Sequence, residues 1–215
     1  MELQQTKSGE YTLYIPSMDE TYHSRDGAIS EALHVFIDAA LQYTAGDVRI
    51  LEVGLGTGLN ALLTAINANE NKRNVHYHTL EPFQVPDTLI EQVSYGTILD
   101  AKDLYTDIHK AAWEEEVKLS EYFTLHKTTQ KLEYIQLKDN YYDIVYFDAF
   151  APKKQPELWA LGIFEKLYKA LKSDGRLTTY SAAGQLKRDL KSSGFEIENP
   201  PGANGKREMT IAIKR

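Results

Sequence analysis

Short apolar runs alternate along this chain with segments whose apolar residues recur at helical spacing. Near the N-terminus, residues 10 to 24 alternate apolar and polar around Pro16, which predicts a short hairpin of Tyr11–Tyr14 and Tyr22–Ser24. Ile29, Leu33, Phe36, Ile37, Ala40 and Leu41 then fall on one helical face, so a helix over 29–43 follows, stopped by Gly46. Beyond it the pattern predicts strand 48–53, helix 59–68, strand 74–81, helices 86–93 and 100–116, and strand 122–127. The run Asp143–Phe147 (D-I-V-Y-F) is nearly continuous in apolar residues, as expected of a strand buried on both faces. An amphipathic helix 156–171 with Pro156 in its first turn, strand 176–180, helix 184–191 and strands 195–198 and 209–214 complete the chain. Strands alternating with helices imply an α/β fold, with a mostly parallel sheet covered on both faces. The last two strands, joined by the turn 200–205, would add an antiparallel edge. No second unit is visible, so one domain over 1–215 is expected, with an N-terminal extension (1–46) ahead of the core (47–215).

Composition narrows the picture. With 215 residues, 42% hydrophobic and 26% charged, the chain can bury a full core. It has no cysteine, which excludes disulfides, thiolate metal sites and cysteine nucleophiles. The opening M-E-L-Q-Q-T-K-S-G-E lacks the apolar stretch of a signal peptide, and no apolar run approaches a membrane span, so no membrane association and a cytoplasmic location are expected. The six histidines show no metal-ligand spacing, and no metal is expected. The net charge of −7 argues mildly against a nucleic-acid partner. Its distribution argues the other way: residues 151–215 hold 13 Lys+Arg and 7 Asp+Glu, a net +6, which leaves −13 for residues 1–150. Such asymmetry hints at an anionic partner, although Lys187, Arg188 and Lys191 would equally form a solvated helix face.

The stretch Ile50–Asn60 (I-L-E-V-G-L-G-T-G-L-N) carries the first chemistry. A strand delivers Glu52 and then Gly54, Gly56 and Gly58 into a turn that opens a helix, the way α/β proteins hold an adenosine-bearing cofactor. The frame Gly56–Ala61 fits a relaxed dinucleotide fingerprint, so the loop alone leaves a nucleotide open. Glu52 would repel a pyrophosphate and suits a cationic or amino-bearing ligand instead. S-adenosyl-L-methionine offers a sulfonium, an amino group and no phosphate. The E-x-G-x-G-x-G pattern resembles the first motif of class I S-adenosylmethionine-dependent methyltransferases, which have a Rossmann-like fold. Glu81, ending the strand some 20 residues beyond the loop, is placed to accept ribose hydroxyls, and Asn60 is grouped with the cofactor-binding residues.

Asp148 directly follows the apolar run 143–147, at the sheet edge where α/β enzymes do their chemistry, and is the first candidate for catalysis. It opens the block Asp148–Trp159, D-A-F-A-P-K-K-Q-P-E-L-W. This block resembles the methyltransferase of the MnmC/MnmD family, which completes 5-methylaminomethyl-2-thiouridine at the tRNA wobble position. Thr21–Ser24 with Gly27, Ala28 and Glu31, and Gly205–Thr210 (G-K-R-E-M-T), resemble two further stretches of that family. Two positions depart from its pattern: Gln155 stands where Asn is usual, and Thr128-Thr129 where an acid would help hold the adenine.

The resemblance implies a stand-alone methyltransferase. It would N-methylate the aminomethyl group of 5-aminomethyl-2-thiouridine in the tRNA anticodon loop, after a separate upstream tRNA-modifying enzyme has supplied that group. Asp148 would orient the amine and take or relay its proton. Tyr22, Ser24 and Phe150 would line the pocket of a base drawn out of its stack, with Trp159 divided between pocket and core. Lys153, Lys206 and Arg207, with Lys154, Lys187 and Arg188, would meet phosphates. Rival readings are a class I methyltransferase for a small-molecule amine or a protein, an aminopropyltransferase, and a non-catalytic RNA-binding module.

Overall fold

The computed structural model describes residues 1–215. A three-stranded antiparallel sheet comes first, from β1 (Glu2–Gln5), β2 (Tyr11–Ile15) and β3 (Glu20–Thr21). Helix α1 (Ala28–Ala32) leads from it to the core, which runs β4 (Val48–Val53), α2 (Leu59–Glu70), β5 (Val75–Leu80), α3 (Asp87–Val93), α4 (Tyr95–Ile98), α5 (Lys102–Lys110), β6 (Glu116–Lys118) and β7 (Phe123–Thr128). It continues through β8 (Tyr142–Phe147), α6 (Leu161–Ala170), β9 (Leu171–Thr179), α7 (Gly184–Ser192), β10 (Glu196–Glu198) and β11 (Thr210–Ile213).

Eight strands form one sheet in the order β10-β11-β9-β8-β4-β5-β7-β6. The five strands β9-β8-β4-β5-β7 are mutually parallel; β6 at one side and β11 at the other run against them, and β10 pairs antiparallel with β11 at the edge. Strand alternation divides the core. Ile50, Tyr77, Ile144 and Tyr146 face α2 and α1, while Leu51, Val53, Val145 and Phe147 face α6 and α7. The connection after β4 runs to β5 on one side of the sheet, and the connection after the neighbouring β8 runs to β9 on the other. The crevice at their carboxyl ends is therefore the topological switch point where ligands bind in such sheets.

The expected α/β fold with an antiparallel edge is present, with local corrections. The hairpin partner of β2 is Glu20–Thr21 rather than Tyr22–Ser24, and β1 adds a third strand. The helix expected over 29–43 is α only to Ala32, widens into a π-helical segment Leu33–Asp38, and ends in a 3-10 turn Leu41–Tyr43. The helix expected over 156–171 is interrupted at Ala160 (ψ 149°), between a 3-10 turn Pro156–Trp159 and α6. The helix expected over 100–116 stops at Lys110, and after a non-helical stretch Glu116 opens the edge strand β6, which pairs with β7.

Lys127 is the physical reason for that last stop. From β7 its ammonium donates to the carbonyls of Ile108 (2.9 Å) and His109 (2.7 Å), the last turn of α5, and Trp113 covers it at 4.7 Å. A cation at a helix C-terminus satisfies carbonyls that the helix leaves free. Lys127 is 1% exposed, and burial lowers its pKa to about 8. Lys127→Met, which leaves both carbonyls unpaired, is expected to cost about 1–3 kcal/mol in urea unfolding. No helix is long and apolar enough to cross a membrane.

Candidate active site

A cavity opens at the carboxyl ends of β4, β5 and β8. The loop after β4 forms its floor, and here glycine is required. Gly54 has φ 93°, and a Cβ on it would sit 2.9 Å from the Asp148 carbonyl oxygen. Gly56 has φ 53°, and its Cβ would meet the Tyr22 ring at 2.9 Å. Gly58 begins α2 against His109 and lies outside the cavity wall.

The loop is also held from beneath, by residues that sequence reasoning passed over. The Thr57 carbonyl accepts hydrogen bonds from Tyr105 Oη (2.8 Å) and His109 Nε2 (3.2 Å), while the Thr57 hydroxyl pairs with His23 Nε2 (2.6 Å). Burial lowers the pKa of both histidines to about 4. His109 is thus neutral, and its bond to a carbonyl fixes the proton on Nε2. His23 ties the N-terminal segment, which lines the cavity mouth, to the loop itself; its place beside Tyr22 in the recognised block was the available signal.

Glu81 stands at the end of β5, on the cavity wall. Its two carboxylate oxygens accept the backbone N–H groups of Gly56 and Phe83, each at 2.9 Å. Burial raises its pKa and those two bonds oppose the rise. Each oxygen keeps a lone pair for a further donor. Glu52 is placed differently from expectation. It shares the inward strand face of Ile50, is wholly buried, and lies behind the loop rather than in its concavity. Thr79 Oγ1 donates to it at 2.7 Å, and burial raises its pKa to about 8. Asn60 is also behind the wall: its Nδ2 donates to Asp148 Oδ2 at 2.8 Å. Two buried oxygens, Glu52 Oε1 and Asn60 Oδ1, are without partners, and the two side chains are hydrogen-bonding neighbours. A neutral Glu52 carboxyl carries a hydroxyl, so it costs less to bury behind the loop than a carboxylate would.

Asp148 itself reaches the cavity. Burial raises its pKa to about 7, the Asn60 bond lowers it, and Glu31 and Lys206 act on it in opposite senses. Tyr22 and Phe150 meet edge to face across the cavity at 5.1 Å. Phe150 is fixed by its backbone: its N–H donates to Gln155 Oε1 (3.0 Å), and its carbonyl accepts from Trp159 Nε1 (2.8 Å). Gln155 therefore supplies an amide oxygen from the position where the resembled family has Asn. Trp159, 7% exposed, packs on Phe147 as a core residue that also braces the loop. Ser24 lines the mouth, whereas Lys153 and Arg207 point outward, Arg207 with 94% of its side chain exposed.

Lys206, an exposed residue, lines the cavity and forms an ion pair with Glu31. The acid absent from Thr128-Thr129 arrives from another element: Glu114 accepts from Thr128 Oγ1 (2.6 Å), Thr129 N (2.7 Å) and Thr129 Oγ1 (2.8 Å). No local pattern in the chain joins residues 114 and 128.

Five carboxyl groups (Glu20, Glu31, Glu81, Glu133 and Asp148) and one cation, Lys206, line this cavity. That balance repels a pyrophosphate and suits a cationic ligand over a glycine cradle. The open sheet, the cradle and the acids at the ends of β5 and β8 define a Rossmann-like methyltransferase using S-adenosyl-L-methionine. A sequence model of an S-adenosyl-L-methionine-dependent methyltransferase family matches residues 100–215. The chain belongs to that family. It is 30% identical to the tRNA 5-methylaminomethyl-2-thiouridine biosynthesis bifunctional protein MnmC of Cupriavidus necator, over 97% of this chain and 34% of that protein. With the protein of the same name from Cupriavidus metallidurans the identity is 31%, over 95% of this chain and 33% of the relative. The chain thus spans about a third of the length of these curated relatives. The crystal structure of MnmC2 from Aquifex aeolicus shares the fold, with a TM-score of 0.76 and 24% identity, over 98% of this chain and 69% of that one.

Proposed function

We propose that this chain N-methylates the aminomethyl group of 5-aminomethyl-2-thiouridine at the tRNA wobble position, with Asp148 as the catalytic residue. The observation that carries this reading is Asp148 itself, poised near neutrality at the cavity floor, held by Asn60 and flanked by the Tyr22–Phe150 pair. The names of the full-length relatives agree with it.

The residues divide the work. Gly54 and Gly56 let the backbone approach the cofactor, and Glu81 offers its remaining lone pairs to ribose hydroxyls. Glu52 and Asn60 support this site from behind. When bound, the cofactor supplies a methyl group on a cationic sulfur. Tyr22, Ser24 and Phe150 receive the flipped base, the two rings offering it a stacking surface. Asp148 accepts a hydrogen bond from the amine, orients its lone pair, and takes or relays the proton that must leave. A separate enzyme acting earlier on the tRNA would provide the aminomethyl group.

The direct test is to incubate the protein with labelled S-adenosyl-L-methionine and tRNA from cells lacking the activity, then identify the modified nucleoside by mass spectrometry. A gain of one methyl on 5-aminomethyl-2-thiouridine supports the assignment. Cofactor binding without transfer to any tRNA redirects it to a small-molecule or protein amine. Arg207 and Lys153, the outward cations, remain the proposed phosphate contacts. Arg207→Gln is expected to weaken tRNA binding, and to reduce the slope of log K against log salt by about 1, with unchanged cofactor affinity. Filter binding at several salt concentrations, with calorimetry for the cofactor, checks this.

A further inference from the structure

The acceptor half of the cavity poses an electrostatic problem. A primary alkylamine reaches the protein as an ammonium ion, which has no lone pair to attack with. The groups awaiting it are chiefly acids: Asp148 from the end of β8, Glu31 from α1 and Glu20 from β3, with the Tyr180 hydroxyl following β9. Tyr180 is engaged with the Ala149 carbonyl at 2.9 Å, and burial keeps it un-ionised. Neighbouring anions stabilise an ammonium and hold its proton on. Left alone, this pocket would bind the substrate well in its unreactive form.

One cation answers the acids. Lys206 pairs with Glu31, and its position is built. The turn that carries it is fastened to α1 by Ser30 Oγ donating to Asn204 Oδ1 (3.0 Å), and to the π-helical segment after α1 by His34 Nε2 donating to the Pro201 carbonyl (2.8 Å). Asn204 Nδ2 adds a bond to the Gly27 carbonyl at 3.3 Å, and the turn closes on itself through Gly202 N and the Lys206 carbonyl at 3.0 Å. These contacts hold the Lys206 ammonium on the wall of an acidic cavity, with 38% of the side chain still exposed, while Arg207 next to it is 94% exposed.

Resting on the functional reading above, we infer that Lys206 is a resident cation of the acceptor site, whose charge keeps the incoming amine in its neutral, nucleophilic form. The ammonium loses one proton on entering, to Asp148 or through it to water. The nitrogen lone pair then forms the N–C bond as the C–S bond breaks with its electron pair going to sulfur, so the product is a secondary ammonium. That product carries the charge Lys206 repels, which favours its release. Lys206 also lowers the pKa of Asp148, so an activity profile alone would mix two titrations.

The test therefore reads the amine directly. A stem-loop RNA carrying a 15N-labelled aminomethyl uridine is titrated by NMR in complex with the protein and S-adenosylhomocysteine. In Lys206→Gln the amine midpoint is expected to rise by about one pH unit or more relative to wild type, a tenfold loss of neutral amine at a given pH. The acidic limb of kcat should move up with it, and Lys206→Arg should restore both. Equal amine midpoints in wild type and Lys206→Gln, with the wild type methylating the RNA, would overturn the inference alone. Failure of the wild-type protein to methylate any aminomethyl RNA overturns the functional reading, and the inference with it.

Discussion

Asp148→Ala is expected to lower methyl transfer at saturating substrate by about 10²–10⁴-fold, the range usual for general acid–base assistance. Cofactor affinity should change far less, because Asp148 contributes its carbonyl, not its side chain, to the close approach at Gly54. The pH profile carries the sharper signature. Burial raises the Asp148 pKa to about 7, and only its carboxylate form can accept the amine proton. Activity in the wild type should therefore fall about tenfold per pH unit below that point. In Asp148→Asn the limb near 7 should vanish, leaving only titration of the amine. Single-turnover rates between pH 5.5 and 9 decide this. Near-normal turnover in Asp148→Ala at pH 8 would remove Asp148 from the chemistry. Asn60→Ala should act in the same direction but more weakly, since it frees Asp148 without removing it.

Most of the sheet was legible because a parallel strand buried on both faces is mainly apolar, and Val48–Val53 and Tyr142–Phe147 read that way despite Arg49, Glu52 and Asp143. Where tertiary partners end an element, the sequence is silent. Nothing in residues 100–116 announces that Lys127 will cap the helix at Lys110, or that Trp113 will turn over that lysine. The break at Ala160 has the same character, because the preceding turn is spent bracing Phe150 through Gln155 and Trp159. Asp148, Glu81 and the two cradle glycines could be placed from motif and strand end together. Lys206 and Arg207 could not be told apart: they are adjacent cations in a loop, and only the turn's attachment to α1 and the π-helical segment sets Lys206 beside Glu31 on the cavity wall and leaves Arg207 in solvent. Glu114 was invisible for a related reason, since the acid that serves Thr128 and Thr129 lies on an edge segment that the periodicity assigned to a helix.

Glu52 separates the motif from the geometry most clearly, and its replacement has the largest expected effect on stability. An E-x-G-x-G-x-G acid read from sequence is an anion facing a cationic cofactor. In the fold it is a buried group whose pKa burial raises from 4.5 to about 8, so it is mostly neutral at pH 7. The sign of the linkage follows. Below pH 4.5 the folded and unfolded chains both carry the proton, and Glu52 costs nothing. As pH rises, the unfolded chain gains by ionising while the folded one holds its proton, so stability falls until the folded group itself titrates near 8. Between pH 4.5 and 7 the wild type should therefore lose about 3 kcal/mol that Glu52→Gln does not lose, measured by urea unfolding across that range. Parallel stability curves would mean that Glu52 is ionised in the fold. The same variant tests the placement in a second way. Glutamine can accept from Thr79 as the neutral acid does, so Glu52→Gln should keep cofactor affinity and most of the turnover. Glu52→Ala, which leaves the Thr79 hydroxyl unpaired and opens a cavity behind the loop, should lose turnover. If Glu52→Gln instead abolishes cofactor binding, the carboxylate meets the cofactor directly and the neutral support role is wrong.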